Sequence, residues 1–173
     1  GRTDSYVPKR AYTYLSQRGV PLNWKVLLNP NIIKIGHNLK YDLKVLDRYG
    51  IHIPSSCFDT MIAHYLINPE SKQSMDYLAE QHLNYQTISI ESLIGKKGKN
   101  QKNMKDLSSE QVCDYACEDA DITYRLKLEF EKEIQKPHLK NLFEEVEMPL
   151  MFVLKNMENE GIAIDVGALK SFG

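Results

Sequence analysis

The sequence predicts an α/β fold, incomplete at its front, followed by a long helix. Three observations predict it. A β-branched apolar run at Ile32, Ile33 and Ile35 reads as a short buried strand, and Leu39, Leu43 and Leu46 repeat behind it at helical spacing. A long amphipathic run then opens after residue 108. The 173 residues give room for one domain and little more. Apolar residues at 42% and charged residues at 26% exclude a wholly disordered, fibrous or membrane-embedded chain. With 22 Lys and Arg against 23 Asp and Glu, the net charge of -1 excludes a basic footprint over the whole surface, though not a local one. No apolar run approaches the roughly 20 residues of a membrane span, and no signal-peptide pattern opens the chain. The first residue is Gly1 rather than Met, so a fragment or processed product is expected.

Residues 1–30 are the least readable, with Pro8, Pro21 and Pro30 punctuating a stretch that holds Tyr6, Tyr12 and Tyr14; a short helix is expected only over 11–17. After the strand at 32–35, Asn38 is the expected N-cap of the leucine-bearing helix and Gly50 its stop. A second short strand is expected near 56–58. Helices at Thr60–Ile67 and Met75–Leu83 follow, separated by Asn68-Pro69, and a third at 89–94. Residues 95–105, GKKGKNQKNMK, read as a loop. Ser108 and Gln111 form a capping-box pattern ahead of a run through Val112, Tyr115, Ala116, Ile122, Leu126 and Phe130, which Pro137 ends. From 142 to 160 a single helix is expected, kinked at Pro149 and carrying Val146, Leu150, Val153, Leu154 and Met157 as its apolar face. Gly161 closes it and 161–166 return to an extended pattern. That apolar face needs a partner surface, which predicts self-association of the chain.

Three cysteines, Cys57, Cys113 and Cys117, form no CxxC, and the pair four residues apart lacks the further ligands of a zinc site. They read as buried, reduced thiols of a cytosolic protein. The carboxylates are more informative. Asp42 falls one turn into the helix leaving the first strand, near the strand's carboxyl end, where open α/β sheets place their sites. An ordinary first-turn Asp complementing the helix dipole satisfies the same pattern. In YACED, Tyr115 and Asp119 share a helix face. Asp114, Glu118 and Asp121 crowd around them, so that face is either well solvated or neutralised by a cation. Asp119 borders the apolar stripe and so needs a partner, either a structural one or a divalent cation such as Mg²⁺. The lysines at Lys96, Lys97, Lys99, Lys102 and Lys105 make the one strong positive field of the chain, suited to a phosphate backbone or to plain solvation. Asn100, Gln101, Tyr77 and Tyr85 are candidates for added stacking or hydrogen bonds.

GHNLKYDLKVL (36–46), CFDTMIAHYLINP (57–69), MDYLAE (75–80), GKKGKNQ (95–101) and YACEDADIT (115–123) together resemble, in the same order, the 3'-5' proofreading exonuclease domains of bacterial family A DNA polymerases. The segment 144–165 resembles the start of the polymerase region that follows those domains. The resemblance covers roughly residues 31–166 and implies a ribonuclease H-like fold. It implies four metal-binding carboxylates and a tyrosine, of which Asp42 and Asp119 match two carboxylates and Tyr115 the tyrosine. Two divalent ions, Mg²⁺ or Mn²⁺, about 3.5–4 Å apart would activate a water and steady the leaving 3' oxygen, with Tyr115 orienting that water. Asn38 and Tyr41 match contacts to the 3' end of the strand, and Lys96, Lys97, Lys99 and Lys102 are the expected backbone contacts. His37 stands where relatives often carry Gln.

The family's other two carboxylates come from an Asp-x-Glu on the first strand, and no Asp-x-Glu stands upstream of residue 42 here; Asp4 is the only acid in the first 30 residues. This predicts weak metal binding and little or no hydrolysis by the chain alone. The resemblance therefore implies a cytoplasmic fragment in three parts. These are an unreadable segment 1–30, a partial exonuclease domain 31–136 acting on single-stranded DNA or a frayed primer end, and the start of a polymerase domain at 137–173. The rest of the polymerase polypeptide is its expected partner. Two alternatives are a non-catalytic domain that has lost metal ligands, and an RNA-processing exonuclease of the same superfamily. The polymerase-like segment disfavours the second.

Overall fold

A computed structural model of the chain describes residues 24–54, 56–96, 98 and 101–172. The helix expected at 11–17, and Lys97, Lys99 and Asn100 of the lysine loop, lie outside the described residues. The chain is mostly helical around a small parallel sheet, an α/β arrangement.

A single turn, α1 (Trp24–Leu27), precedes β1 (Lys34–Gly36). The strand starts later than the isoleucines suggested, and Ile32 and Ile33 remain 37% and 58% exposed. The cause is a local turn. Ile32 N donates to the Asn29 carbonyl, and the Lys34 ammonium donates to the carbonyls of Asn29 and Ile32 at 2.8 Å each. Those bonds fold 29–33 before pairing can begin.

Helix α2 (Leu39–Asp47) buries Leu39 and Leu43 and returns the chain to β2 (Cys57–Asp59), which pairs in parallel with β1, Lys34 opposite Cys57 and Gly36 opposite Asp59. A parallel pair needs such a crossover. Asn38 occupies the N-cap position in the left-handed conformation (φ 64°), but its side chain makes no capping bond. The cap comes instead from across the sheet. Asp59 accepts from the backbone amides of Asn38 (3.1 Å) and Leu39 (2.7 Å), and also from Met61 (2.8 Å) and Ile62 (3.3 Å) at the start of α3 (Thr60–Ile67). One buried carboxylate thus caps two helices.

Helix α4 (Met75–Leu83) and the short α5 (Ile90–Ile94, capped by Ser89) lead through a 3-10 turn (Met104–Asp106) to α6 (Ser109–Ile134). The capping box of Ser108 and Gln111 is formed as the spacing predicted. The inner face of α6 (Ile122, Leu126, Phe130, Ile134) packs against α3 and α4, whose buried residues include Ala63, Leu78 and Ala79. Ala116, expected in the stripe, is exposed, because burial starts only at Ile122.

After α6 come α7 (Pro137–Asn141), a π-helical segment (Leu142–Glu147) and α8 (Met148–Glu160). The irregularity is a π segment ahead of Pro149 rather than a kink at it. Phe143, Met148, Met151 and Lys155 are buried, whereas Val146, Leu150, Val153, Leu154 and Met157 face out. A π turn takes up extra residues and rotates everything beyond it relative to a regular α pattern. Phe143 meets Phe58 of β2 at a ring-centroid distance of 4.9 Å, and α8 packs on α2. Gly161 (φ 76°) ends α8. Residues 161–165 have no regular structure, and an additional helix, α9 (Val166–Phe172), follows; the Asp165 carboxylate accepts from Ala168 N at 2.9 Å. No helix of the described residues is long and apolar enough to cross a membrane.

Candidate active site

Asp42 and Asp119 line one cavity of about 480 Å³, together with Ile35, Gly36, His37, Met75, Ala120, Thr123 and Tyr124. The two acids come from different elements. Asp42 stands in the first turn of α2 because β1 ends at Gly36 and the left-handed Asn38 turns the chain directly into the helix. Asp119 sits where α6 passes from its exposed first half to its buried second half.

Both carboxyls are pushed above their ordinary range. Asp42 is exposed as a residue; the larger cause of its shift is desolvation of the carboxyl and the smaller the nearby charge of Asp59. For Asp119 burial again leads, a hydrogen bond from the Tyr115 hydroxyl opposes it, and Glu118 and Asp76 add repulsion. Burial and Asp119 in turn hold the Tyr115 phenol proton on. The partner expected for Asp119 is therefore Tyr115, one turn earlier.

The crowded acids around them have separate occupations. Glu118 accepts from the Tyr85 hydroxyl (2.8 Å) and from Ile88 N (2.7 Å), tying the 84–89 segment to α6. Asp121 pairs with Arg125 at 3.6 Å, and Asp76 accepts from Thr87. The repulsion that the sequence implied is thus partly absorbed by structural partners, which leaves Asp42 and Asp119 facing the cavity. Tyr85 is engaged by Glu118 and lies under Arg125, while Lys72 lies over Tyr77.

Asn38 does not line the cavity; it lines a narrower groove with Lys40, Asp59 and residues of α8. Tyr41 is 66% exposed on the turn before Asp42. Lys96 and Lys102 are exposed, and Lys102 N donates to the Ile94 carbonyl at 2.9 Å, closing the base of their loop. Cys113 and Cys117 are exposed rather than buried, because the first half of α6 stands outside the core, and the neighbouring Cys117 pushes the Cys113 thiol up. Sequence reasoning missed Asp59, Thr60 and Gln73. The Asp-Thr pair before an apolar helix is an N-cap signal that points to the first two; nothing in the sequence marks Gln73.

The carboxylates of Asp42 and Asp119 are hard oxygen donors of the kind that Mg²⁺ or Mn²⁺ takes. Among the described residues no group of three or more His, Cys, Asp or Glu side chains is gathered to hold a metal. The residues present therefore fit one side of a cation site.

The sequence profile of a 3'-5' exonuclease family matches residues 12–135. The chain is 38% identical to DNA polymerase I of Borreliella burgdorferi over 95% of its own length and 18% of that protein. It is 33% identical to DNA polymerase I of Pseudomonas aeruginosa over 83% of the chain and 16% of that protein. For DNA polymerase I of Chloroflexus aurantiacus the identity is 36%, over 84% of the chain and 15% of that protein. The chain thus spans less than a fifth of the length of these relatives.

Proposed function

The chain belongs to the 3'-5' exonuclease family of bacterial DNA polymerase I, and from that premise we propose that it carries most of a proofreading exonuclease domain, with two of the four carboxylates of its metal site. The observation that carries this reading is the shared cavity of Asp42 and Asp119, with Tyr115 one helical turn before Asp119. The parent enzyme's reaction is removal of 3'-terminal deoxynucleotides by phosphodiester hydrolysis. Asp42 and Asp119 would hold a divalent cation, Mg²⁺ or Mn²⁺, which when bound supplies Lewis-acid activation of water and charge neutralisation at the leaving oxygen. Tyr115, which does not line the cavity but stands one turn before Asp119, is assigned to orienting the attacking water through its hydroxyl. Asn38 and Tyr41, at the solvent edge of α2, are assigned to the 3' end of a single strand or frayed primer. Lys96, Lys97, Lys99 and Lys102 are assigned to its phosphates. In this reading 31–136 is part of a ribonuclease H-like domain in a cytoplasmic enzyme, and 137–173 begins the polymerase region with which it works.

A second reading is a non-catalytic domain that retains DNA without cutting it. It takes its support from the described residues, among which no group of three or more His, Cys, Asp or Glu side chains is gathered to hold a metal. One experiment separates the two: Mn²⁺ binding and hydrolysis of single-stranded DNA, measured for the chain and for Asp119→Ala. The exonuclease reading expects weak Mn²⁺ binding that Asp119→Ala removes. It expects any hydrolysis by the chain, however slow, to be abolished by EDTA and lowered at least about a hundredfold by Asp119→Ala, the usual scale for losing a group that stabilises the transition state. DNA binding together with Mn²⁺ binding that is absent, or that Asp119→Ala leaves unchanged, supports the second reading. Hydrolysis equal in both proteins, or surviving EDTA, overturns the assignment of Asp119.

A further inference from the structure

The geometry points to His37 as a positioning residue of this site, a bridge that fastens the 68–74 loop to the corner from which Asp42 rises. Its importance for nucleic acid rests on the exonuclease reading; the bridge itself does not. His37 follows Gly36, the last residue of β1, and lines the cavity of Asp42 and Asp119. Its Nε2 lies 2.9 Å from the Gln73 carbonyl oxygen. That oxygen only accepts, so Nε2 carries a proton. Its Nδ1 lies 2.9 Å from the Thr60 hydroxyl. Burial, the largest influence on the ring, holds it towards the neutral form against the opposing pull of Asp59, so the one ring proton is on Nε2 and Nδ1 accepts from Thr60. The Thr60 hydroxyl also lies 3.1 Å from the Gly36 carbonyl, so its single proton is shared between ring and strand end.

Gln73 carries the connection onward. Its side-chain amide donates to the carbonyls of Asn68 (3.1 Å) and Ser71 (2.9 Å), which folds the loop on itself. Its Oε1 accepts from Nδ1 of the buried His64 at 2.6 Å. The loop is therefore held twice, to α3 through His64 and to the β1–α2 corner through His37. Met75, two residues beyond Gln73, is a wall of the cavity that Asp42 enters. His37 thus ties the Met75 wall to the Asp42 corner, two parts of the cavity that lie far apart in sequence.

Two substitutions divide the ring. His37→Gln places an amide nitrogen where Nε2 sits and keeps the bond to Gln73. His37→Asn places an amide oxygen where Nδ1 sits and keeps only the bond to Thr60. If His37 positions the loop, amide hydrogen exchange over 70–75 stays near that of the unsubstituted chain in His37→Gln and speeds up roughly fivefold in His37→Asn, the worth of about one hydrogen bond. A ring that merely fills space predicts similar acceleration in both, and that result overturns the proposal. Nitrogen NMR of the unsubstituted chain provides a test that no variant's folding can confuse. The Nε2–H tautomer is expected, and the Nδ1–H tautomer overturns the proposal. Binding of a single-stranded oligothymidylate to the same three proteins reads the consequence, with a loss of about fivefold expected in His37→Asn alone. If exchange and tautomer come out as expected but none of the proteins binds the oligonucleotide, the bridge stands and the exonuclease reading falls.

Discussion

Asp59 is the residue on which the largest number of local decisions converge. It is almost completely buried, it ends β2, and its two oxygens receive four backbone N–H groups, two opening α2 and two opening α3. A carboxylate at two helix N-termini meets the orphan amides and the positive ends of both dipoles at once. Gly36, paired with Asp59 across the sheet, is constrained by close approach, since a Cβ there would lie 2.4 Å from Cδ2 and 2.6 Å from Cγ of the buried Leu39. The strand end, the turn and the first turn of α2 are thus one packed unit, and Asp42 stands on it. Asp59→Ala leaves four amides without an acceptor in a buried place, at about 3 kcal/mol of stability when each cap is taken at roughly 1 kcal/mol and some amides find water. Urea unfolding of the variant measures this, and a cost within experimental error of zero removes Asp59 from its capping role.

At the scale of elements, α2 and α8 are clasped by charge. Glu158 receives the ammonium groups of Lys40 (2.5 Å) and Lys44 (2.6 Å), while Asp47 receives Lys155 (2.7 Å), Asn159 (2.8 Å) and His52 (2.9 Å). Lys155 is in the buried stripe of α8, which is tolerable only because Asp47 meets it. Burial opposes the charge on Asp47, and the hydrogen bonds from Lys155 and His52 outweigh that and hold its carboxyl below the usual range. The two lysines lower the Glu158 carboxyl to about 2. Because the folded value lies below the ordinary 4.5, the Glu158 clasp is fully present above about pH 4.5 and is lost as pH falls towards 2. Amide exchange at the end of α8, corrected for its intrinsic pH dependence, should therefore rise across that window, and Glu158→Gln should show the loosened state already at neutral pH. No acid step, or an unchanged step in Glu158→Gln, contradicts this. The sequence made α3, α4 and the start of α6 legible because their signals are local: a break at Asn68-Pro69, and a capping box at Ser108 and Gln111. It also brought Asp42, Tyr115 and Asp119 forward by their position near a strand end and by helical spacing. What it hid depends on partners distant in the chain. Asn38 looks like a cap, but the cap is Asp59, 21 residues away, and His37 meets Gln73 across 36 residues. The stripe of Val146, Leu150, Val153, Leu154 and Met157 is legible as an apolar face without a partner, and it is exposed. What the sequence hid is the inward side of α8, Met148, Met151 and Lys155, which follows a π segment that no residue type announces.

For the whole molecule, the near-neutral charge conceals an uneven surface. Acids gather along the first half of α6 and lysines in the loop before it, while the far end of the chain is apolar and open. Val153 and Met157 on α8 are 52% and 62% exposed, and Ile162, Ile164, Leu169 and Phe172 continue the open apolar surface, Phe172 at 92%. Exposed apolar surface of this extent favours association. A net charge of -1 offers little repulsion between copies to oppose it. The expected outcome is concentration-dependent self-association through 146–172, read by sedimentation velocity over a wide concentration range. Replacing Met157 and Phe172 together by Glu places charge on exposed positions only and leaves the buried stripe of Phe143, Met148, Met151 and Lys155 untouched. The variant should therefore keep the helical content and unfolding midpoint of the parent while shifting towards monomer. Association that persists unchanged in the double variant moves the contact to another surface. A chain that stays monomeric throughout the range shows that this apolar face is too dispersed to hold two copies together.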